Sequence, residues 1–265
     1  MPPVYLLIKP SSGMCNLRCK YCFYNDVTKN RQEESYGFMS EETMENVIKK
    51  ALEAAQGSCT IAFQGGEPTL IGLPFYQKVV EMQKKYNRHN IPVYNAIQTN
   101  GYRLSEEWAE FFHKNKFLVG ISVDGTIHTH DYYRKSAAGK DTFLEIMKTV
   151  DLFNKHQVDY NILTVVNKKT AASLDKIYRY YRKMGFDFQQ YIPCLDPLGK
   201  PSGESEYSLS PKAYGEFLCR LFDLWYDDYR NGHIVHIRQF ENYLSILLTG
   251  RAESCDMNGF CSIQN

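Results

Sequence analysis

Cys59-Thr60-Ile61-Ala62-Phe63-Gln64-Gly65-Gly66-Glu67-Pro68 reads as a short apolar strand running into a polar, glycine-rich turn. A helical stretch follows from Leu73 to about His89, and the same unit recurs along the chain. Further strand-like runs lie at Val4 to Lys9, Pro92 to Thr99, Phe117 to Val123, Val158 to Val166, Phe186 to Pro193 and His233 to Arg238. Helical stretches separate most of them: one behind the N-cap serine Ser40 to about Ala55, then Ser105 to Asn115, Thr142 to His156, Ala172 to Met184 and Ser210 to Asn231. Strands alternating with helices of this length imply a parallel sheet, because parallel neighbours need helical crossovers. The number of units favours a complete or partial α/β barrel over a Rossmann fold. Polar and glycine residues load the strand ends at Gln64 to Pro68, Gln98-Thr99-Asn100-Gly101, Ser122-Val123-Asp124-Gly125 and Cys194-Leu195-Asp196-Pro197. Ligands of α/β folds sit at the carboxyl ends of strands, so these loops define the expected functional face.

The 265 residues are 43% hydrophobic, and 31 lysines and arginines balance 30 acidic residues. That balance provides no field for nucleic acid or an anionic membrane. No run approaches the roughly 18 apolar residues of a membrane span, and the start lacks a basic signal region, so a cytoplasmic protein is expected. Eight cysteines are too sparse for a disulfide-stapled secreted scaffold. Three of them crowd into Cys15-Asn16-Leu17-Arg18-Cys19-Lys20-Tyr21-Cys22, a C-x3-C-x2-C cluster just after the first strand. Three such thiolates can ligate three corners of a [4Fe-4S] cluster and leave one iron open to another ligand. The competing readings are structural zinc, which wants four closed ligands, or three unrelated buried cysteines. Cys59 and Cys219 read as small buried hydrophobes and Cys194 as a structural residue. His233 and His236, three apart on a strand, face opposite sides and make no metal pair. Tyr178 to Lys183 reads as a buried aromatic stripe with a solvated face, and Gly199 to Ser205 as a flexible connection.

With Tyr21 immediately before the third cysteine and Gly65-Gly66-Glu67-Pro68 ending the next core strand, the chain resembles the radical S-adenosylmethionine enzymes. The resemblance implies a partial (β/α)6 barrel of the TIM type. It implies that the open iron chelates the amino and carboxylate groups of S-adenosylmethionine, and that reductive cleavage releases methionine and a hydrogen-abstracting 5′-deoxyadenosyl radical. Carried over residue by residue, Gly65, Gly66 and Glu67 serve the methionine amino group, and Ser122 and Arg134 the carboxylate. Backbone groups of Tyr21 and Leu195 meet the adenine, and Asn100 reaches the ribose or carboxylate. The residue types suit these roles: glycine lets backbone approach a ligand, and the arginine fork pairs a carboxylate bidentately.

A closer resemblance, running from Pro2 to Gln264, is to the anaerobic sulfatase-maturating enzymes, which convert a cysteine or serine of an unfolded sulfatase to Cα-formylglycine. It implies as partners an unfolded sulfatase segment of Cys/Ser-x-Pro-x-Arg type and a reductant such as flavodoxin or ferredoxin, with a monomeric enzyme and neither nucleic acid nor membrane. Gln64 becomes a substrate-peptide contact, and Asp124 a peptide or cofactor contact or a turn former. Cys255 and Cys261 look like the opening of the family's cysteine-rich region, as ligands of auxiliary [4Fe-4S] clusters. On this reading residues 1–238 form the barrel, residues 239–265 begin an incomplete auxiliary-cluster domain, and the general base lies beyond Asn265. Two other readings stand: a different peptide-modifying radical enzyme, forming thioethers or crosslinks, and a non-catalytic iron-sulfur protein.

Overall fold

A computed structural model of the chain describes residues 3–252. Seven parallel strands pair in chain order: β1 (Val4–Ile8), β2 (Cys59–Phe63), β3 (Val93–Thr99), β4 (Phe117–Ser122), β5 (Tyr160–Val166), β6 (Phe188–Pro193) and β7 (His236–Ile237). The ladder runs from β1 to β7 without pairing the two ends, so the barrel is open, as expected of a partial barrel. Six strands are full length. The seventh run narrows to a two-residue pairing, Phe188 with His236 and Gln189 with Ile237, at the start of β6.

The crossovers are α1 (Phe23–Lys29) and α2 (Glu41–Ala54), then α3 (Leu73–Tyr86), α4 (Glu106–Lys114), α5 (Ile127–Tyr133) with α6 (Phe143–Lys155), α7 (Lys168–Ala171) with α8 (Leu174–Met184), and α9 (Pro211–Arg230). Helix α10 (Arg238–Thr249) follows β7. Local chemistry sets several starts. The Ser40 side chain accepts from the Thr43 N–H at 3.1 Å, and Ser210, before Pro211, accepts from the Ala213 N–H at 3.2 Å. Helices α1 and α5 depart from the sequence expectation. Each is seven residues long, and α5 buries Thr129, His130, Asp131 and Tyr133, so neither carries an apolar period. Cys59 is fully buried as expected, whereas Cys219 is exposed. It lies two residues from the buried Phe217, which places it on the opposite side of α9.

One face of the sheet meets the helices through Ile61, Phe63, Ile97, Phe117, Val119, Ile121 and Ile162, packed with Ile48, Tyr76, Phe112, Phe153 and Ile177. Phe117 is the hinge of an aromatic group, with ring centroids 5.3 Å from Phe111, 5.6 Å from Phe112 and 6.4 Å from both Phe63 and Tyr76. On the other face of the sheet Tyr5, Leu7, Tyr94, Leu118 and Phe188 remain exposed. Among the described residues no helix is long and apolar enough to cross a membrane. Phe117→Ala is expected to cost about 3–5 kcal/mol, seen as a lower urea midpoint at an unchanged slope in equilibrium unfolding.

Candidate cofactor site

The cysteine loop leaves β1 and crosses the carboxyl rim of the sheet before Cys22 caps α1. Its backbone is pinned to the segment 133–137. Arg18 N–H donates to the Lys135 carbonyl at 2.7 Å, Lys20 N–H to Tyr133 at 3.0 Å, and the Asn16 carbonyl accepts from Ala137 N–H at 2.8 Å. Cys15, Cys19 and Cys22 are half-buried free thiols. The Cys15 sulfur accepts from Leu17 N–H at 3.4 Å and from the Asn100 amide at 3.7 Å. Burial, with Glu67 behind it, pushes the Cys15 thiol up to about 11, and burial pushes Cys19 up to about 12. Deprotonating these sulfurs requires a cation to replace the proton, which suits a metal-ligand role.

The Gly65 to Pro68 turn docks directly on that loop. Gly66 has φ +49°, and a Cβ there would run into the Met14 carbonyl; Gly65, at φ +83°, is shielded by the Lys9 side chain. The Glu67 N–H donates to the same Met14 carbonyl at 2.7 Å. The Glu67 carboxylate is sealed from solvent, with Oε1 accepting from Thr69 N–H (3.0 Å), Thr69 Oγ1 (2.7 Å) and Thr99 Oγ1 (2.8 Å), and Oε2 from Asn100 N–H (2.7 Å). Burial raises its pKa while these donors oppose the rise. Among the described residues, hydrogen bonds load Oε1 threefold and leave the carbonyls of Gly65 and Gly66 without a donor. Asn100 continues the clamp: its amide donates to Asn16 Oδ1 at 2.8 Å and its Oδ1 accepts from Tyr102 N–H at 2.8 Å.

Across the rim, Ser122 ends β4 and Arg134 caps the C-terminus of α5. Ser122 Oγ accepts from the Gln98 amide at 3.2 Å, so its own O–H is left to donate elsewhere. Arg134 is 6% exposed; its Nη1 donates to the Tyr21 phenol at 3.0 Å and lies 3.9 Å from Asp124 Oδ2, which accepts from that phenol. Burial works against the Arg134 charge, but Tyr21, Cys19 and Asp124 reverse the balance and hold it ionised. Its Nε–H is sealed from solvent and has no partner among the described residues. A buried guanidinium with an unspent donor is the fit expected of an anion-binding group. Asp124 is fully buried: Oδ1 accepts from Val165 N–H at 2.9 Å, so it ties the turn after β4 to strand β5.

The remaining predicted residues fall around this rim. Leu195 is exposed beyond β6, beside Cys194, whose thiol burial pushes up to about 12. Gln64 anchors by its backbone N–H to the Ile8 carbonyl at 2.9 Å, and its half-buried side chain has no hydrogen-bond partner among the described residues. The segment expected to be a flexible connection is gathered by Asp196, which accepts from Ser202 Oγ and Gly203 N–H, both at 2.9 Å, and from Ser208. Cys255 and Cys261 lie outside the described residues. Sequence reading missed His130 and Thr142, both fully buried beneath Arg134. A histidine and a threonine without motif spacing carry no signal until the fold brings them together.

Residues 10–181 match the model of the Radical SAM superfamily, and the chain belongs to it. It is 51% identical over 264 residues to the cysteine-type anaerobic sulfatase-maturating enzyme of Clostridium novyi (strain NT), covering 100% of this chain and 71% of that protein. A serine-type relative from Bacteroides thetaiotaomicron is 32% identical over 98% of this chain and 66% of its own. The solved structure of native anSMEcpe with bound AdoMet and Cp18Cys peptide superposes with a TM-score of 0.93 at 48% identity, over 97% of this chain and 69% of that one. Within the superfamily the chain is a member of the anaerobic sulfatase-maturating enzymes.

The raised thiol values have a direct readout. In the metal-free protein at pH 8, iodoacetamide should modify Cys15 and Cys19 about tenfold or more slowly than exposed Cys219, with their rates climbing as pH approaches 11. Peptide-resolved mass spectrometry measures this, and equal rates at pH 8 would contradict the burial argument.

Proposed function

We propose that this protein oxidises an active-site cysteine or serine of an unfolded sulfatase to Cα-formylglycine, using a [4Fe-4S] cluster and S-adenosylmethionine. The observation that carries the reading is local: three thiols on one pinned loop share a rim with a sealed arginine whose Nε–H is unpartnered. Cys15, Cys19 and Cys22 would hold the cluster, three thiolates for four irons, so that one iron could take the cofactor. When bound, the cluster and S-adenosylmethionine supply one-electron cleavage and a carbon radical that takes a hydrogen atom from the substrate Cβ. Arg134 and the Ser122 hydroxyl orient the methionine carboxylate, and the carbonyls of Gly65 and Gly66 accept from its ammonium group. Glu67 serves that subsite by holding the turn, with Oε2 facing fewer donors than Oε1. Backbone groups of Tyr21 and Leu195 flank the adenine, and Asn100, its amide engaged on Asn16, acts on the cofactor edge from beside Cys15.

Gln64, with its side-chain amide unspent, is the contact for the substrate backbone. Loss of the Cβ hydrogen atom, the proton of the thiol or hydroxyl and one further electron gives formylglycine directly from serine; from cysteine it gives a thioaldehyde, which water converts to formylglycine with release of hydrogen sulfide. Cys255 and Cys261 would serve as ligands of auxiliary [4Fe-4S] clusters, which would supply an acceptor for that electron. The barrel then comprises residues 1–238 and the auxiliary region opens at residue 239. A flavodoxin or ferredoxin supplies the first electron to a monomeric cytoplasmic enzyme.

After anaerobic cluster reconstitution and reduction, the protein is expected to cleave S-adenosylmethionine to 5′-deoxyadenosine, and alanine at Cys15, Cys19 or Cys22 should abolish both the cluster absorbance and cleavage. Retained cleavage in any of the three sinks the site assignment. With a Cys-x-Pro-x-Arg or Ser-x-Pro-x-Arg peptide, the full-length protein should yield formylglycine by mass spectrometry. A thioether or crosslinked product would instead favour another peptide-modifying chemistry.

A further inference from the structure

Beneath Arg134 lies a buried hydrogen-bond chain with a single possible polarity. The Asp124 N–H donates to His130 Nδ1 at 3.1 Å, so that nitrogen carries no proton. His130 Nε2 lies 3.2 Å from Thr142 Oγ1, and the Thr142 hydroxyl donates to the Arg134 carbonyl at 2.9 Å. The threonine proton being spent on Arg134, its oxygen accepts from His130 Nε2–H. The Arg134 N–H returns to the His130 carbonyl at 3.0 Å, closing a loop between the two residues. Asp131, next in sequence, holds the far partner in place: its Oδ1 accepts from both Thr142 N–H and Phe143 N–H at 2.9 Å. The His130 ring is packed edge-on against Phe143 at 5.5 Å, and burial keeps the imidazole neutral, in keeping with one acceptor and one donor nitrogen.

We infer that His130 and Thr142 are positioning residues for the cofactor's carboxylate, acting through Arg134. They tie the carbonyl of Arg134 to the backbone of Asp124, while the Asp124 side chain faces the same guanidinium with Tyr21 from the other side. Arg134 is thus held at both ends, by its backbone through the His130–Thr142 chain and by its head group through Asp124 and Tyr21. Its Nε–H, without a partner among the described residues, is left to donate from that fixed position. Bidentate carboxylate recognition depends on that direction as much as on charge, since a planar fork loses its second hydrogen bond when it swings. The inference rests on the reading of Arg134 as the carboxylate partner.

The test compares equilibrium binding of S-adenosylmethionine with that of its decarboxylated analogue, on the cluster-reconstituted protein, by anaerobic calorimetry. Wild type should prefer the intact cofactor; equal affinity for the two would overturn the carboxylate reading itself, and this inference with it. Given that preference, Thr142→Val, which keeps the shape and removes the hydroxyl, should weaken S-adenosylmethionine about tenfold and change the analogue by less than about twofold. Thr142→Ser should restore binding of the intact cofactor. Unchanged affinity in Thr142→Val, an equal loss for both ligands, or no rescue by serine would each refute the positioning role while leaving the cofactor reading intact. Should Thr142→Val fail to take up its cluster, His130→Asn carries the same expectation, since it keeps an acceptor for Asp124 N–H and deletes the donor to Thr142.

Discussion

The carboxylate of Glu67 is the constraint on which the site depends. It is sealed from water and held by donors from its own turn and from the end of β3, while its backbone N–H reaches the cysteine loop at Met14. A buried charge is tolerable only with this degree of satisfaction, and removing one donor would leave an uncompensated lone pair at a cost of about 1–3 kcal/mol. Asn100 extends the same clamp to Asn16 and the Cys15 sulfur. The cysteine loop therefore inherits its position from two strand ends, and those ends are neighbours because β2 and β3 pair in parallel register.

Opposite this clamp the rim is built on Asp124 and Arg134, an ion pair whose members are both buried, with the Tyr21 phenol bonded to each. Tyr21 stands between the second and third cysteines, so the loop is gripped at one end by Glu67 and at the other by Asp124. The thiols between these grips sit in an environment that disfavours their ionised form. The protein thus supplies rigid geometry and a shortage of water, while charge balance at the sulfurs is left to whatever cation they bind.

Much of this was legible beforehand. Long strand and helix runs stand out because burial on one face imposes a period on the residues, as in β2 and β3 or in α8, whose buried Leu174, Ile177, Tyr178 and Tyr181 form the expected stripe. Helix α5 escaped because its inward face is polar and pays for burial through hydrogen bonds instead of apolar area. Cys219 was misjudged because an apolar neighbourhood in sequence is not one face of a helix. Asp196 converts the glycine- and serine-rich stretch after β6 into an ordered loop through side-chain acceptors, which composition does not reveal.

By itself the sequence determined the chemistry available: three thiols at ligand spacing, a glycine turn that backbone can approach, and an alternating pattern that demands a parallel sheet. These are local properties, set by residue type and by spacing along the chain. Only the tertiary structure decided that Asn100 braces Cys15, that Glu67 is a clamp, that Asp124 closes on Tyr21 and Arg134, and that His130 and Thr142 stand beneath that arginine. Those partners lie far apart in sequence or carry no periodic signal, and a buried hydrogen bond is specified by direction and distance that emerge only when the strands are in register.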